Sequence, residues 1–150
     1  MNIIWLGHSC FVVESAGWRV VLDPYYVETY PALHIEADEA LCSHGHRGDL
    51  GHELNEEQLA AVKGCDALLI PVGGYYTIDA KTAKKVADAI APRVLVPMHY
   101  RFGAHGYPEI GTLDEFLALY EAKKIHKLDG NSFELTKNAP AGVIVPRFAE

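Results

Sequence analysis

"LCSHGHRGDLGHELNEEQL", residues 41–59, gathers His44, His46, Asp49 and His52 into a run of nine residues. In an extended segment residues i and i+2 face the same side, so His44 and His46 can meet one ion. Gly45 between them allows the backbone to turn tightly. Asp49 adds a hard anionic oxygen, and a mixed nitrogen and oxygen set suits Zn²⁺, Mn²⁺ or Fe. A His-x-His pair alone is often plain surface loop. The full order, His-x-His-x-x-Asp-x-x-His, also fits no single ligand spacing.

The surroundings read as an α/β domain. "EALCS" (39–43) is a short strand ending at the first histidine. Cys42 shares its alternation with His44 and His46, and reads as a soft ligand or a small core residue. Downstream, Asn55 and Gln58 form a capping box for a short helix carrying Leu54, Leu59 and Val62. "DALLIPV" is a buried strand followed by Gly73–Gly74. Asp79 or Thr77 caps a helix over 80–90, with Val86 and Ile90 on one face, and Pro92 stops it. "RVLVPM" is the next buried strand and delivers His99 at its end, where α/β sheets hold functional groups. Upstream, "NIIWL", "CFVVES" and "WRVVLD" are strands, the last two a hairpin turning at Ala16–Gly17. Residues 24–38 lack a period and read as loop. "TLDE" (112–115) opens a helix to about Tyr120, "KIHKL" and "SFELT" read as a hairpin about "DGN", and "AGVIV" is a final strand. No repeat or linker divides residues 1–150, so one domain is expected.

Composition narrows the partners. A formal charge of -7 disfavours nucleic acid and anionic membranes, which need clustered cations. No apolar run reaches the roughly 20 residues that cross a bilayer, and "MNIIWLGHSCFVVE" has neither the basic start nor the cleavage site of a signal peptide. Cys10, Cys42 and Cys65 are odd in number without a CxxC pair, which favours reduced thiols and a cytoplasmic location.

Taken in order, "WLGHSCFVVES", "GWRVVLDPY", "CSHGH", "GDLGHELNEEQL", "LLIPVGGYYTIDA" and "PRVLVPMHYR" resemble the metallo-β-lactamase-fold metal-dependent hydrolases, in the bacterial branch near ascorbate-phosphate lactonase. The resemblance implies an αββα sandwich with metal at the sheet edges. It implies cleavage of an ester, lactone, amide or phosphoester by metal-bound hydroxide. By the same resemblance His44 and His46 are the first ligands of the His-x-His-x-Asp-His motif, Asp49 is the bridging aspartate and His99 the final ligand. Asp23, in "LDP", orients the ligand loop behind the metal.

The departure from the family pattern accounts for the opening stretch. After "CSHGH" the family continues with Asp-His and several tens of residues before "GDLGH"; here only Arg47 intervenes. The stretch therefore joins two ligand motifs with an internal segment missing near residue 47, giving a truncated αββα sandwich. The other alignment takes "HGHRGD" as one motif with an inserted residue and His52 as a displaced ligand.

The expected site is His44, His46, Asp49 and His99 around one ion, with Asp49 and His99 at the chemistry. A second ion would need His52 or His8, and His8 in "GHSC" otherwise backs the site or is structural. Zn²⁺ leads, with Mn²⁺ or Fe as alternatives. Gly74, Tyr75 and Tyr76 offer backbone N–H groups and phenols to a small-molecule substrate, against a plain strand-to-helix turn. His105, in a glycine-rich loop after His99, reads as a solvent-exposed loop histidine, against one that lines the pocket. The competing function is a metal-binding or interaction protein of the same fold without efficient catalysis. A missing segment should also bare a sheet edge around 11–13, 20–22 and 40–42, so a homodimer through the N-terminal half is expected.

Overall fold

Runs of β-branched and aromatic residues build the first layer. In the computed structural model, which describes residues 1–24, 28–41 and 54–148, they form β1 (Asn2–Trp5), β2 (Phe11–Ser15) and β3 (Trp18–Leu22). The β2–β3 hairpin turns at Ala16 (φ 51) and Gly17 (φ 84). Two positive φ values in a row make the tight turn whose twist matches the strands it joins. β4 (Glu39–Leu41) then lies parallel to β3, with Leu22 opposite Leu41.

The second layer alternates strand and helix. α1 (Glu56–Val62) carries the expected capping box, Asn55 and Gln58 each accepting from the other's backbone N–H. β5 (Ala67–Pro71) precedes α2 (Ala80–Ile90), which Asp79 caps by accepting from the Thr82 N–H at 2.8 Å. α2 ends where expected: Ala91 turns left-handed and Pro92 follows. β6 (Val94–Met98) is buried throughout. α3 (Leu113–Leu117), β7 (Ile125–Lys127), β8 (Ser132–Glu134) and β9 (Gly142–Val145) complete the order.

One sheet runs β4-β3-β2-β1-β8 and the other β5-β6-β9-β7, the latter with parallel pairs throughout. Ile3, Trp5 and Phe11 of the first sheet share one core with Ile70, Val94, Val96 and Val143 of the second. α2 adds Ala83, Val86, Ala87 and Ile90 to the same core. On the first sheet a separate cluster of Cys10, Val12 and Val21 is covered by Leu33 and Ile35 of the extended 31–38 segment. Among the described residues that cover is not helical. This is the mixed α/β sandwich expected, with helices on the second sheet.

Four local expectations need correction. "KIHKL" and "SFELT" are not a hairpin: β7 pairs with β9, whereas β8 crosses to the first sheet and pairs with β1. Burial decides this, since Phe133 packs against the main core from β1's side. The helix after "TLDE" is shorter than expected, ending at Leu117, and Thr112 makes no side-chain cap bond. β5 is fully buried only at Ile70 and Pro71. Residues 11–13 do not form an open edge, because β2 is hydrogen-bonded on both sides and Phe11 and Val12 are buried. Among the described residues only β4, with Leu41 exposed, lies at the edge on that side.

Candidate metal centre

Strand directions bring several chain ends to one rim of the sandwich. Trp5 pairs with Phe11 and Phe11 with Leu22, so the end of β1, the start of β2 and the end of β3 coincide. Asp23 follows directly, and its N–H donates to the Leu41 carbonyl at 2.8 Å. β4 therefore ends beside Asp23, three residues before His44. The second sheet contributes the ends of β5 and β6. They meet the first sheet where the His99 N–H donates to the His8 carbonyl at 3.1 Å, an oxygen that also accepts from Trp5 Nε1 at 3.2 Å.

At this junction the rings of His8 and His99 lie 4.1 Å apart between centroids, with exposures of 6% and 1%. Buried imidazoles are nitrogen donors of the kind divalent metals take. Backbone strain concentrates here too. Six described non-glycine residues have positive φ, and four of them are His8 (48), Asp23 (46), Tyr75 (65) and His99 (53). The other two, Ala16 and Ala91, are accounted for by a hairpin turn and a helix end. Left-handed backbone at non-glycine residues is uncommon, and it persists where the surroundings over-determine it, often at functional sites.

The ends of β5 and β6, neighbours in the second sheet, approach closely at this rim. A Cβ on Gly73 would sit 2.2 Å from the His99 carbonyl oxygen, so only glycine fits. The Gly73 carbonyl accepts from the Gly111 N–H at 2.6 Å, and the Val72 N–H donates to the Met98 carbonyl at 3.0 Å. His99 is thus held between the Gly73 contact and the His8 carbonyl.

Aromatic groups line the surroundings. Tyr30 is buried with its ring 6.1 Å from His8, and the Tyr107 ring lies 6.0 Å from His8. Burial pushes the Tyr30 phenol up to about 12, partly offset by a hydrogen bond with the His8 backbone. Burial, with the Asp23 charge adding to it, also raises the Cys10 thiol to about 12, which keeps it protonated and unreactive near neutrality.

Of the residues the sequence nominates, the structure brings together His8 and His99, and places Asp23, Gly74, Tyr75 and Tyr76 at strand ends. His44, His46, Asp49 and His52, with Cys42, lie outside the described residues. Among the described residues no three His, Cys, Asp or Glu side chains form a metal-holding group. Tyr30 and Tyr107 carry no sequence signal, since each is a loop tyrosine without a partner in spacing. His105 is not the solvent-exposed residue expected. It packs against Tyr30, Phe102 and Phe148 at 5.0–5.1 Å, and its Nδ1 donates to the Thr29 carbonyl at 2.6 Å.

Two facing sheets, helices on the second, and a rim that holds buried histidines define the metallo-β-lactamase architecture. The family model for the β-lactamase superfamily domain matches residues 2–47 and 42–99, and the chain belongs to that superfamily. A solved Thermotoga maritima protein of the metallo-β-lactamase superfamily is 28% identical and superposes with a TM-score of 0.79 over 99% of both chains. A metallo hydrolase from Ignicoccus hospitalis, 16% identical, shares the fold with a TM-score of 0.55, over 99% of this chain and 94% of its own. A UPF0173 metal-dependent hydrolase from Alkaliphilus metalliredigens is 34% identical over 112 residues, which is 63% of this chain and 49% of its own. A second, from Caldivirga maquilingensis, is 32% identical over 114 residues, 67% of this chain and 48% of its own. The chain spans about half the length of these curated relatives. No described helix is long and apolar enough to cross a membrane.

Proposed function

We propose that the chain is a metal-dependent hydrolase of an ester, lactone or phosphoester, holding one ion through His44, His46, Asp49 and His99. The observation that carries this is His99 itself: buried, left-handed, clamped at the Gly73 contact and backed by His8 at the rim where β4 ends. That donor environment fits a borderline metal ion. Zinc leads because it is the metal in the name given to the Thermotoga maritima protein, with Mn²⁺ or Fe as alternatives. When bound, the ion supplies Lewis acidity and a water acidic enough to attack near neutral pH.

The chain's own residues do the rest. Asp23 fixes the end of β4 through its backbone and thereby the start of the ligand segment. His8 accepts the His99 N–H and presses against its ring, which limits how that imidazole can rotate. Asp49 and His99 stand nearest the reacting bond, and His52 is a further candidate ligand. Gly74, Tyr75 and Tyr76 border the substrate.

We place the missing internal segment near residue 47, within one domain. Support comes from the family model, which matches in two stretches that meet within 42–47. Free Cys10 and Cys65 thiols are in keeping with the cytoplasm. The position of β4 at the sheet edge among the described residues, together with exposed Trp18 and Leu41, supports a homodimer through the N-terminal half. Light scattering at low micromolar concentration should give twice 16.5 kDa; a 16.5 kDa species would rule the dimer out.

The test of the activity is reversible metal removal. Chelation should abolish turnover of activated esters, lactones or phosphoesters, and added Zn²⁺ or Mn²⁺ should restore it. Turnover in verified metal-free protein would refute the mechanism. Stoichiometric metal without turnover on the whole panel would favour a metal-binding protein that has lost catalysis with the shortened motif.

A further inference from the structure

We infer that the site takes substrates with an aromatic ring next to the scissile group, seated on a ladder formed by Tyr75, Tyr76 and Tyr107. This rests on the proposed reaction centre at His99 and adds the substrate class to it.

The rings run from solvent to the histidines. Tyr75 and Tyr76 lie 4.5 Å apart, Tyr76 and Tyr107 5.9 Å, Tyr107 and His8 6.0 Å, and His8 and His99 4.1 Å. Exposure falls along the same path: 69% at Tyr75, 45% at Tyr76 and 38% at Tyr107, before the two buried histidines. All of these centroid spacings, apart from the close histidine pair, lie in the range at which aromatic rings attract one another. A ligand ring of similar size can extend the series without moving it.

The protein also spends strain to present these side chains. Tyr75 holds φ 65, a true outlier for a bulky residue. The turn is fixed by Gly74 N–H to the Ile78 carbonyl at 3.1 Å, Tyr76 N–H to the Gly74 carbonyl at 2.9 Å, and the Gly73–Asp79 bridge. The loop bearing Tyr107 is pinned by Gly106 N–H to Thr29 Oγ1 at 3.0 Å and Ile110 N–H to the Tyr107 carbonyl at 3.2 Å. Two separate loops are each held so that Tyr76 meets Tyr107, and Tyr107 in turn reaches His8. A plain strand-to-helix turn requires neither the left-handed Tyr75 nor that meeting. Continuity with the buried histidines favours a small ligand as occupant over a second protein surface.

Two readouts test this on the metal-loaded protein. The first compares kcat/KM for 2-naphthyl acetate and ethyl acetate in the parent, Tyr76→Leu and Tyr107→Leu. Ring contacts of this type are worth roughly two- to twelvefold each, so the aryl-to-alkyl ratio should fall severalfold in each variant and about tenfold when Tyr76→Leu and Tyr107→Leu are combined. The second is calorimetric binding of naphthalene-2-carboxylate, whose Kd should rise by a similar factor; thermal melting confirms that the variants fold. If neither ester turns over but the naphthoate binds and weakens in the variants, the ladder stands and the hydrolase reading fails. If the parent does not bind it, or the variants bind equally well, the ladder is overturned. It is equally overturned if the variants change only the oligomeric mass, which would make the tyrosines an interface between copies.

Discussion

Replacing His44 and His46 together by alanine is expected to take the protein from about one bound metal per chain to none. The pair supplies two of the four proposed donors, and both belong to the same short segment after β4. Loss of two nitrogens cannot be offset by Asp49 and His99, because two ligands do not hold a borderline ion against chelating buffer. The rest of the molecule should be unaffected, since the core is built from β1, β2, β5, β6, β9 and α2. Elemental analysis beside circular dichroism separates the outcomes. A folded double variant that keeps a full equivalent would remove both histidines from the ligand set.

Gly73→Ala is expected to cost about 3 kcal/mol or more of stability and to weaken metal binding at the same time. The new methyl carbon would lie 2.2 Å from the His99 carbonyl oxygen, a backbone atom that cannot swing aside. Relief requires the ends of β5 and β6 to separate, although Pro71 is paired with Met98 immediately before them. Such a shift disturbs the His99 N–H bond to His8 and the left-handed backbone that aims the imidazole. A chain of this size should melt roughly 6–12 °C lower. Gly130→Ala is the control, because nothing lies within 4 Å of its Cβ position, and no loss of stability is expected there. Equal melting of the two variants would show that the Gly73 contact is not tight.

The elements with strong local signals were legible in the sequence. Capping residues and periodicity placed α2 at its observed bounds, and a buried apolar run placed β6 with His99 at its end. What escaped depends on contacts distant in sequence. "KIHKL", "DGN" and "SFELT" look like a hairpin locally, but Phe133 is drawn to β1 and Ile125 to β9. A missing segment would expose Phe11–Val13, yet β1 and β3 pair with all three residues and Phe11 and Val12 are buried. At the site, His8, Asp23 and His99 carried motif signals. Tyr30, Tyr107 and the packed His105 did not, because loops bring them together.

The position of β8 has a kinetic consequence. β1 meets its partner β2 within a few residues, but its other neighbour pairs Asn2 with Glu134. Closing so large a loop delays the contact, since the entropy must be lost before the pairing rewards it. At the usual rate of about 5–20 residues per second, the ribosome needs on the order of ten seconds to make the stretch between them. Through that interval Ile3 and Trp5 form part of a strand with one bare side, when the chain is most prone to stick to its neighbours. The nascent protein should therefore depend on chaperone protection until Ser132–Glu134 has emerged, and a stalled chain lacking that tripeptide should aggregate through its first strand.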